Sequence, residues 1–148
     1  AGDFVAEQER RELEASPVAE QIRYEGWVGR EGVAAILSQA RAGLVTLMPI
    51  RNYVDARPVK LFEYMAAGLP VIASDFPRWR ESVEGANCGL LVDPTDPAAI
   101  PEVMRWMLAH PEEAQAMGMR GRQAVMERFN WTPEAHRLVA LYRKLLNQ

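Results

Sequence analysis

Cysteine and histidine are scarce in this sequence. Its 148 residues include one cysteine, Cys88, and two histidines, His110 and His136. A lone thiol excludes an internal disulfide, and three such side chains scattered along the chain make no zinc set. A reducing, cytoplasmic setting is the default expectation. No apolar run approaches the roughly 18 residues that a spanning helix needs, and the first residues lack the basic-then-apolar pattern of a secretory signal. Excess charge is missing too: 17 Lys and Arg stand against 20 Asp and Glu, for a net charge of −3. That balance argues against a nucleic-acid partner held by bulk electrostatics, so any phosphate has to be met by local groups. Internal repeats and low-complexity tracts are also absent. What remains is a chain with 49% hydrophobic residues, enough for one globular domain with a core.

The chain is organised around Pro58 to Asp75, PVKLFEYMAAGLPVIASD. Its first eleven residues predict a helix opening on Pro58 as the first helical residue, where a fixed φ suits and a missing N–H costs nothing. Gly68 ends that helix, and Leu69 to Ala73 reads as a strand buried on both faces. On a helical wheel Val59, Leu61, Phe62, Met65 and Ala66 share an apolar arc, while Lys60, Glu63 and Ala67 form a stripe outside it. The preceding segment, Pro49 to Arg57, is a long strand-to-helix loop. Free N–H groups and the positive dipole end of a helix make an anion site, and open α/β sheets bind ligands where such loops meet such helices. Arg57 and Lys60 flank the helix start, beside the amides of Val59, Lys60 and Leu61. Two cations there oppose the dipole, which points to an anionic guest or a neighbouring carboxylate. Read locally, Glu63 is also an i, i+3 partner for Lys60, and Asp55 a turn residue bonded to its own backbone.

The remaining elements follow in alternation. A charged amphipathic helix is expected over Phe4 to Ala15, a strand over Gln21 to Glu25, and a helix over Arg30 to Arg41. A second strand is expected over Gly43 to Met48, a short helix from Pro77, and a strand over Gly89 to Val92. Asp96-Pro97 caps and starts a helix, His110-Pro111 breaks it, a further helix runs toward Phe129, and a last one has Thr132 as N-cap. This alternation predicts a parallel sheet with right-handed crossovers. Trp27, Trp79, Trp106 and Trp131 read as packing or interface residues, and Met104, Met107, Met117, Met119 and Met126 as core filling. Cys88 reads as a structural thiol, while Gly118 and Gly121 mark a helix break or close packing.

PVKLFEYMAAGLPVIASD, followed by CGLLVDPTDPAAI and RFNWTPEAHRLVALYRKLL, resembles the C-terminal, donor-binding half of retaining group-one (family four) glycosyltransferases. The similarity runs from about Glu25 to Leu146. It implies an α/β fold: a Rossmann-like parallel sheet flanked by helices, half of a two-domain GT-B enzyme. Residues 1–148 would form one partial domain, with an α/β portion at 1–128 and a C-terminal helix at 129–148. It implies a UDP- or GDP-linked sugar as substrate, with no cofactor and no metal. Glu63 would accept hydrogen bonds from the ribose hydroxyls, its two carboxylate oxygens matching a vicinal diol. Asp55, where the family usually has glutamate, would contact the transferred sugar. Arg57, Lys60 and the Val59 amide would hold the diphosphate, and the turn Gly26-Trp27-Val28 would lie beside the base.

The resemblance also implies two strands ahead of the helix at Phe4, with Ala1 to Asp3 ending the second. The strand at Gln21 to Glu25 would then lack a neighbour, and is expected to pair with Gly43 to Met48 or with a second copy, by dimerisation or strand exchange. The acceptor domain and a basic pair of the donor domain's first loop would lie outside this sequence, so the chain alone is expected to be inactive. An epimerase sharing the two-domain architecture needs carboxylates and histidines that this half does not display. A receiver-type regulatory domain needs an acidic cluster and a late lysine, and neither is present.

Overall fold

The computed structural model describes residues 6–146. Its backbone contacts divide into two compact units, one ending at Gln39 and one starting at Ala40. The first holds α1 (Glu7–Glu14), a single 3-10 turn (Ala19–Gln21) and α2 (Arg30–Gln39). The second holds β1 (Gly43–Val45), α3 (Arg51–Val54), α4 (Val59–Ala66), β2 (Val71–Ser74), α5 (Pro77–Ala86), β3 (Gly89–Val92), α6 (Ala99–Ala109), α7 (Pro111–Glu127) and α8 (Trp131–Leu146).

In the first unit, α1 is the expected charged helix, laced by an exposed Arg10–Glu14 pair at 2.9 Å and without a buried residue. Phe4, and the strand end expected at Ala1 to Asp3, lie outside the described residues. The strand expected at Gln21 to Glu25 does not form. After the 3-10 turn the backbone stays extended at Ile22, with Ile22 and Tyr24 exposed, and no ladder includes this segment. A strand needs a neighbour to accept its N–H and C=O groups, and none of the described residues supplies one. The expected pairing with Gly43 to Met48 is therefore absent.

The second unit is built on a three-stranded parallel sheet in the order β1-β2-β3, with Gly43 opposite Val71 and Val71 opposite Gly89. The strand expected over Leu69 to Ala73 forms over Val71–Ser74, and every residue of it is buried, as a strand covered on both faces requires. Alternation along it splits the core in two. Val71 and Ala73 join Leu61 and Met65 of α4, Trp79 and Val83 of α5, and Ala124 of α7. Ile72 points into the other cluster, with Val92, Met107 of α6, and Ala114 and Met117 of α7. Helices thus cover both faces, and each fully buried aliphatic side chain contributes roughly 1.5–3 kcal/mol.

Helix ends follow local chemistry, though not always at the residue expected. Pro58 is the N-cap of α4, not its first helical residue: its backbone is extended and its carbonyl accepts from the Leu61 amide at 3.1 Å. At the other end Gly68 takes φ +77°. Its amide reaches the Met65 carbonyl at 2.9 Å and the Leu69 amide reaches Tyr64 at 3.0 Å, a Schellman closure that turns the chain into β2. Asn87 (φ 47°) closes α5 in the same way, by Asn87 N–H to Glu84 and Cys88 N–H to Val83. The Asp96-Pro97 pair forms a turn ahead of α6 instead of its first residues, because the Asp96 carboxylate accepts from the Ala98 amide at 2.8 Å. Asn130, not Thr132, caps α8, its side-chain oxygen taking the Thr132 amide at 3.0 Å. His110 sits between α6 and α7, stacked on Trp106 with centroids 4.5 Å apart.

Two expectations of packing are corrected. Met107 and Met117 are core residues, whereas Met104, Met119 and Met126 are exposed; Met119 and Met126 lie on the outer side of α7 with no gap to fill, and Met104 lines an open cavity. Trp79 is fully buried, but Trp27 and Trp131 are largely exposed and belong to neither core cluster.

The glycines of α7 mark close packing. A Cβ added at Gly118 would fall 2.0 Å from the Gly68 carbonyl oxygen, and one at Gly121 would fall 3.1 Å from Cys88 Cβ. Helix propensity alone would favour Gly118→Ala by about 1 kcal/mol. The contact with backbone instead predicts a loss of about 1–3 kcal/mol, read from the urea midpoint. A gain in stability would show that α7 does not lie on the α4–β2 elbow this closely. Cys88 beneath it is fully buried, and burial raises its thiol from 9.0 to about 11. The unfolded thiol ionises first, so the stability that the buried neutral thiol supplies is whole below pH 9 and lost as pH rises through about 11. The stability difference between wild type and Cys88→Ala is expected to change across that window, and a difference flat from pH 8 to 11 would contradict the burial.

Candidate functional site

The carboxyl ends of parallel strands, with the loops that follow them, form the edge where α/β sheets bind ligands. In the second unit that edge is made by the segment after β1, the N-terminus of α4 and the first turns of α5. The chain leaves β1, passes Leu47, and makes a tight turn in which the Ile50 amide reaches the Met48 carbonyl at 2.8 Å. The expected open loop from Pro49 to Arg57 is not unstructured: it contains the one-turn helix α3, capped by Asp55.

Two buried side chains fix this loop from below. Ser74, the last residue of β2, donates its hydroxyl to the Leu47 carbonyl at 2.7 Å. Trp79 of α5 donates its indole N–H to the Ala56 carbonyl at 2.8 Å. Both side chains are essentially inaccessible to solvent, and the Trp79 ring meets Phe76 edge-on at 4.9 Å. Sequence reasoning missed these roles. They join residues 27 and 23 apart, across a strand and a helix, and no local pattern signals such a bond.

The expected site residues of this unit gather at that loop and the helix it feeds. Asp55 is exposed at the end of α3, and its carboxylate makes no hydrogen bond among the described residues, so the turn-type bond to its own backbone is not formed. Arg57 is paired with Glu81 of α5 at 2.8 Å, the neighbouring carboxylate that its position called for. Val59 and Lys60 begin α4, where their amides precede the first intrahelical bond, while the Leu61 amide is already committed to Pro58. The Lys60–Glu63 ion pair does not form; both side chains are exposed and neither has an ion-pair partner among the described residues. The wheel reading holds for the stripe of Lys60, Glu63 and Ala67, all exposed, and for Leu61 and Met65, which are buried. It fails at Val59, in the first turn and 70% exposed, and at Ala66.

Charges beside the loop are mostly paired off. Asp75, just beyond β2, holds Arg80 of α5 through both carboxylate oxygens. Asp93, beyond β3, accepts from the Thr95 hydroxyl and amide, and these bonds hold its carboxyl below the usual range. Tyr64, beside Glu63 but turned inward toward Gly43, has its phenol raised by burial first and by the Glu63 charge second. Lys60 and Glu63 are thus the charges left unengaged at the start of α4. A cavity of about 500 Å³ lies at the opposite, amino edge of the sheet, lined mainly by apolar groups such as Leu44, Pro70, Ile72, Met104 and Leu108, with Arg41 and Gln115 among its polar groups.

Gly26, Trp27 and Val28 lie in the first unit. Gly26 has φ +61°, a turn conformation suited to glycine; Trp27 is 77% exposed; Val28 is half-buried against Gly32 of α2. Trp27 therefore is not held by packing within its unit.

Comparison with known proteins agrees with this architecture. The family model for "Glycosyl transferases group 1" matches residues 1–110. The chain is 27% identical over 136 residues to a phosphatidyl-myo-inositol mannosyltransferase of Mycobacterium leprae, covering 92% of this chain and 35% of that protein. It is 31% identical over 110 residues to a D-inositol 3-phosphate glycosyltransferase of Corynebacterium urealyticum, covering 74% of this chain and 25% of that one. Among solved structures, the sucrose-phosphate synthase of Thermosynechococcus elongatus superposes with a TM-score of 0.81 at 30% identity, over 99% of this chain and 38% of that one. The chain therefore spans 25–38% of the length of these relatives. Its parallel sheet with helices on both faces is the Rossmann-like half of a GT-B fold, and the chain belongs to the group 1 glycosyl transferases.

Proposed function

We propose that this chain is the donor-binding part of an enzyme that transfers a sugar from a nucleotide sugar, with its diphosphate at the N-terminus of α4. One observation carries the reading above the rest: the first amides of α4, Lys60 and Glu63 stand together, exposed and unpaired, on one side of a helix whose approach loop is anchored. In this reading the Val59 and Lys60 amides and the Lys60 ammonium meet the diphosphate. Arg57 joins them by leaving Glu81, since an exposed pair of this kind contributes only about 0–1 kcal/mol. The Glu63 carboxylate, one turn further on, accepts from the ribose diol. Asp55, free at the end of α3, faces the transferred sugar.

Chemically, these groups stabilise a departing nucleoside diphosphate as its charge develops, the role that a metal fills in other transferases. Transfer with retention at the anomeric carbon, and independence of metal, are part of this reading. The base is a guanine or a uracil. Several relatives are named as GDP-mannose-dependent mannosyltransferases, which supports a GDP-linked donor. Their names give a phosphatidylinositol monomannoside, which supports a glycolipid acceptor bound by a second domain, so the chain alone would bind donor without turning it over. Among the described residues, no helix is long and apolar enough to cross a membrane. β1, unpaired along its outer side among the described residues, would take a further strand of the same polypeptide or of a second copy.

Calorimetric titration of the chain with GDP, UDP and ADP tests this reading. GDP or UDP is expected to bind in preference to ADP, with unchanged affinity after EDTA treatment, and Glu63→Gln is expected to weaken binding about tenfold or more, the scale of one charge-assisted hydrogen bond. Binding that Glu63→Gln leaves intact, or that EDTA abolishes, would overturn the reading.

A further inference from the structure

We infer that Ser74 and Trp79 are positioning residues that clamp the two ends of the donor loop, so that the start of α4 is preset for a diphosphate. The inference deepens the proposed function and rests on its placing of the diphosphate. The loop has to leave β1, turn back and present Asp55, Arg57 and the first α4 amides within a few residues of one another. Its own backbone bonds are short-range, the Met48–Ile50 turn and the single turn of α3, while Leu47 and Val54 pack their side chains against the core. Apolar packing of this kind has no direction, so it leaves the course of the loop backbone loosely set.

Two bonds from below remove that freedom. Ser74 takes the carbonyl of Leu47 at the loop's entry, and Trp79 takes the carbonyl of Ala56 at its exit, two residues before the α4 N-cap. Each donor is fully buried and finds its partner in the carbonyl it meets, so losing that carbonyl would leave a buried polar group unsatisfied. β2 and α5 carry both donors and are themselves fixed by the core, so the loop inherits their rigidity. Glu81, on the same helix as Trp79, reaches Arg57 at the same exit from the solvent side. The indole is suited to this job. Its ring fills the core against Phe76 while its one N–H serves the loop, and the indole, a donor only, brings no acceptor that would need a second partner.

A residue that merely stabilises the fold and one that positions the loop differ in what they loosen. Backbone amide exchange, followed by mass spectrometry on the chain, separates loop residues 47–57 from β2. Trp79→Phe is expected to speed exchange over residues 51–57 about tenfold, with exchange in β2 little changed, and to weaken GDP or UDP binding by a similar factor. Ser74→Ala is expected to do the same at the entry, over residues 47–51, and it carries the test if Trp79→Phe does not fold. Replacing the indole by the isosteric benzothiophene ring, which has the shape without the N–H, should reproduce the Trp79→Phe effect on the loop. Exchange unchanged in the loop, or raised equally in loop and β2, would overturn the clamp. If the wild-type chain binds neither nucleotide, the donor reading falls, and the exchange rates alone decide whether the loop is held.

Discussion

β2 has no exposed side, and the rest of the second unit follows from that constraint. With β1 and β3 taking its backbone groups and helices taking both of its faces, Val71, Ile72 and Ala73 leave solvent almost completely. A strand placed like this cannot end freely. Its last residue, Ser74, is also buried, and its hydroxyl needs a partner, which it finds in the Leu47 carbonyl across the edge of the sheet. The burial that stabilises the core therefore also ties down the loop proposed to present the donor site.

The same logic continues through α5. Trp79 is buried by the core cluster, and its N–H has to be satisfied there; the Ala56 carbonyl satisfies it and fixes the loop where it enters α4. Packing and site are thus linked by two side chains that belong to the core by shape and to the site by their hydrogen bonds. In contrast, the charged residues proposed to meet the donor, Lys60 and Glu63, are exposed and almost without structural duties. They can be spent on a ligand because the fold does not use them.

Much of this was legible in the sequence, for reasons that can be named. The α4–β2 unit was readable because its signals are local: an apolar arc of helical spacing, a glycine at the only place that needs a positive φ, and a short β-branched run. β3 was readable residue for residue, from Gly89 to Val92, because turn signals bound it on both sides. Gly118 and Gly121 stood out because two glycines weaken one helix, and of the two readings, a break or close packing, the unbroken α7 decides for packing. The segment from Gln21 to Glu25 misled because its composition suits a strand, whereas strand formation depends on a neighbour that composition does not reveal. Pairings across a long span of chain were invisible for the same reason: Ser74 with Leu47, Trp79 with Ala56 and Arg57 with Glu81 are all set by topology. The exposure of Trp27, Met104, Met119 and Met126 shows the limit of reading large apolar residues as core.

The account rests on an open helix start flanked by a free cation and a free carboxylate. Chemical-shift mapping of the isotope-labelled chain with GDP and UDP tests it most directly. The largest amide shifts should fall on residues 55–63, centred on Val59, Lys60 and Glu63. Shifts centred instead on the apolar cavity at the amino edge, around Leu44, Ile72 and Met104, would contradict it.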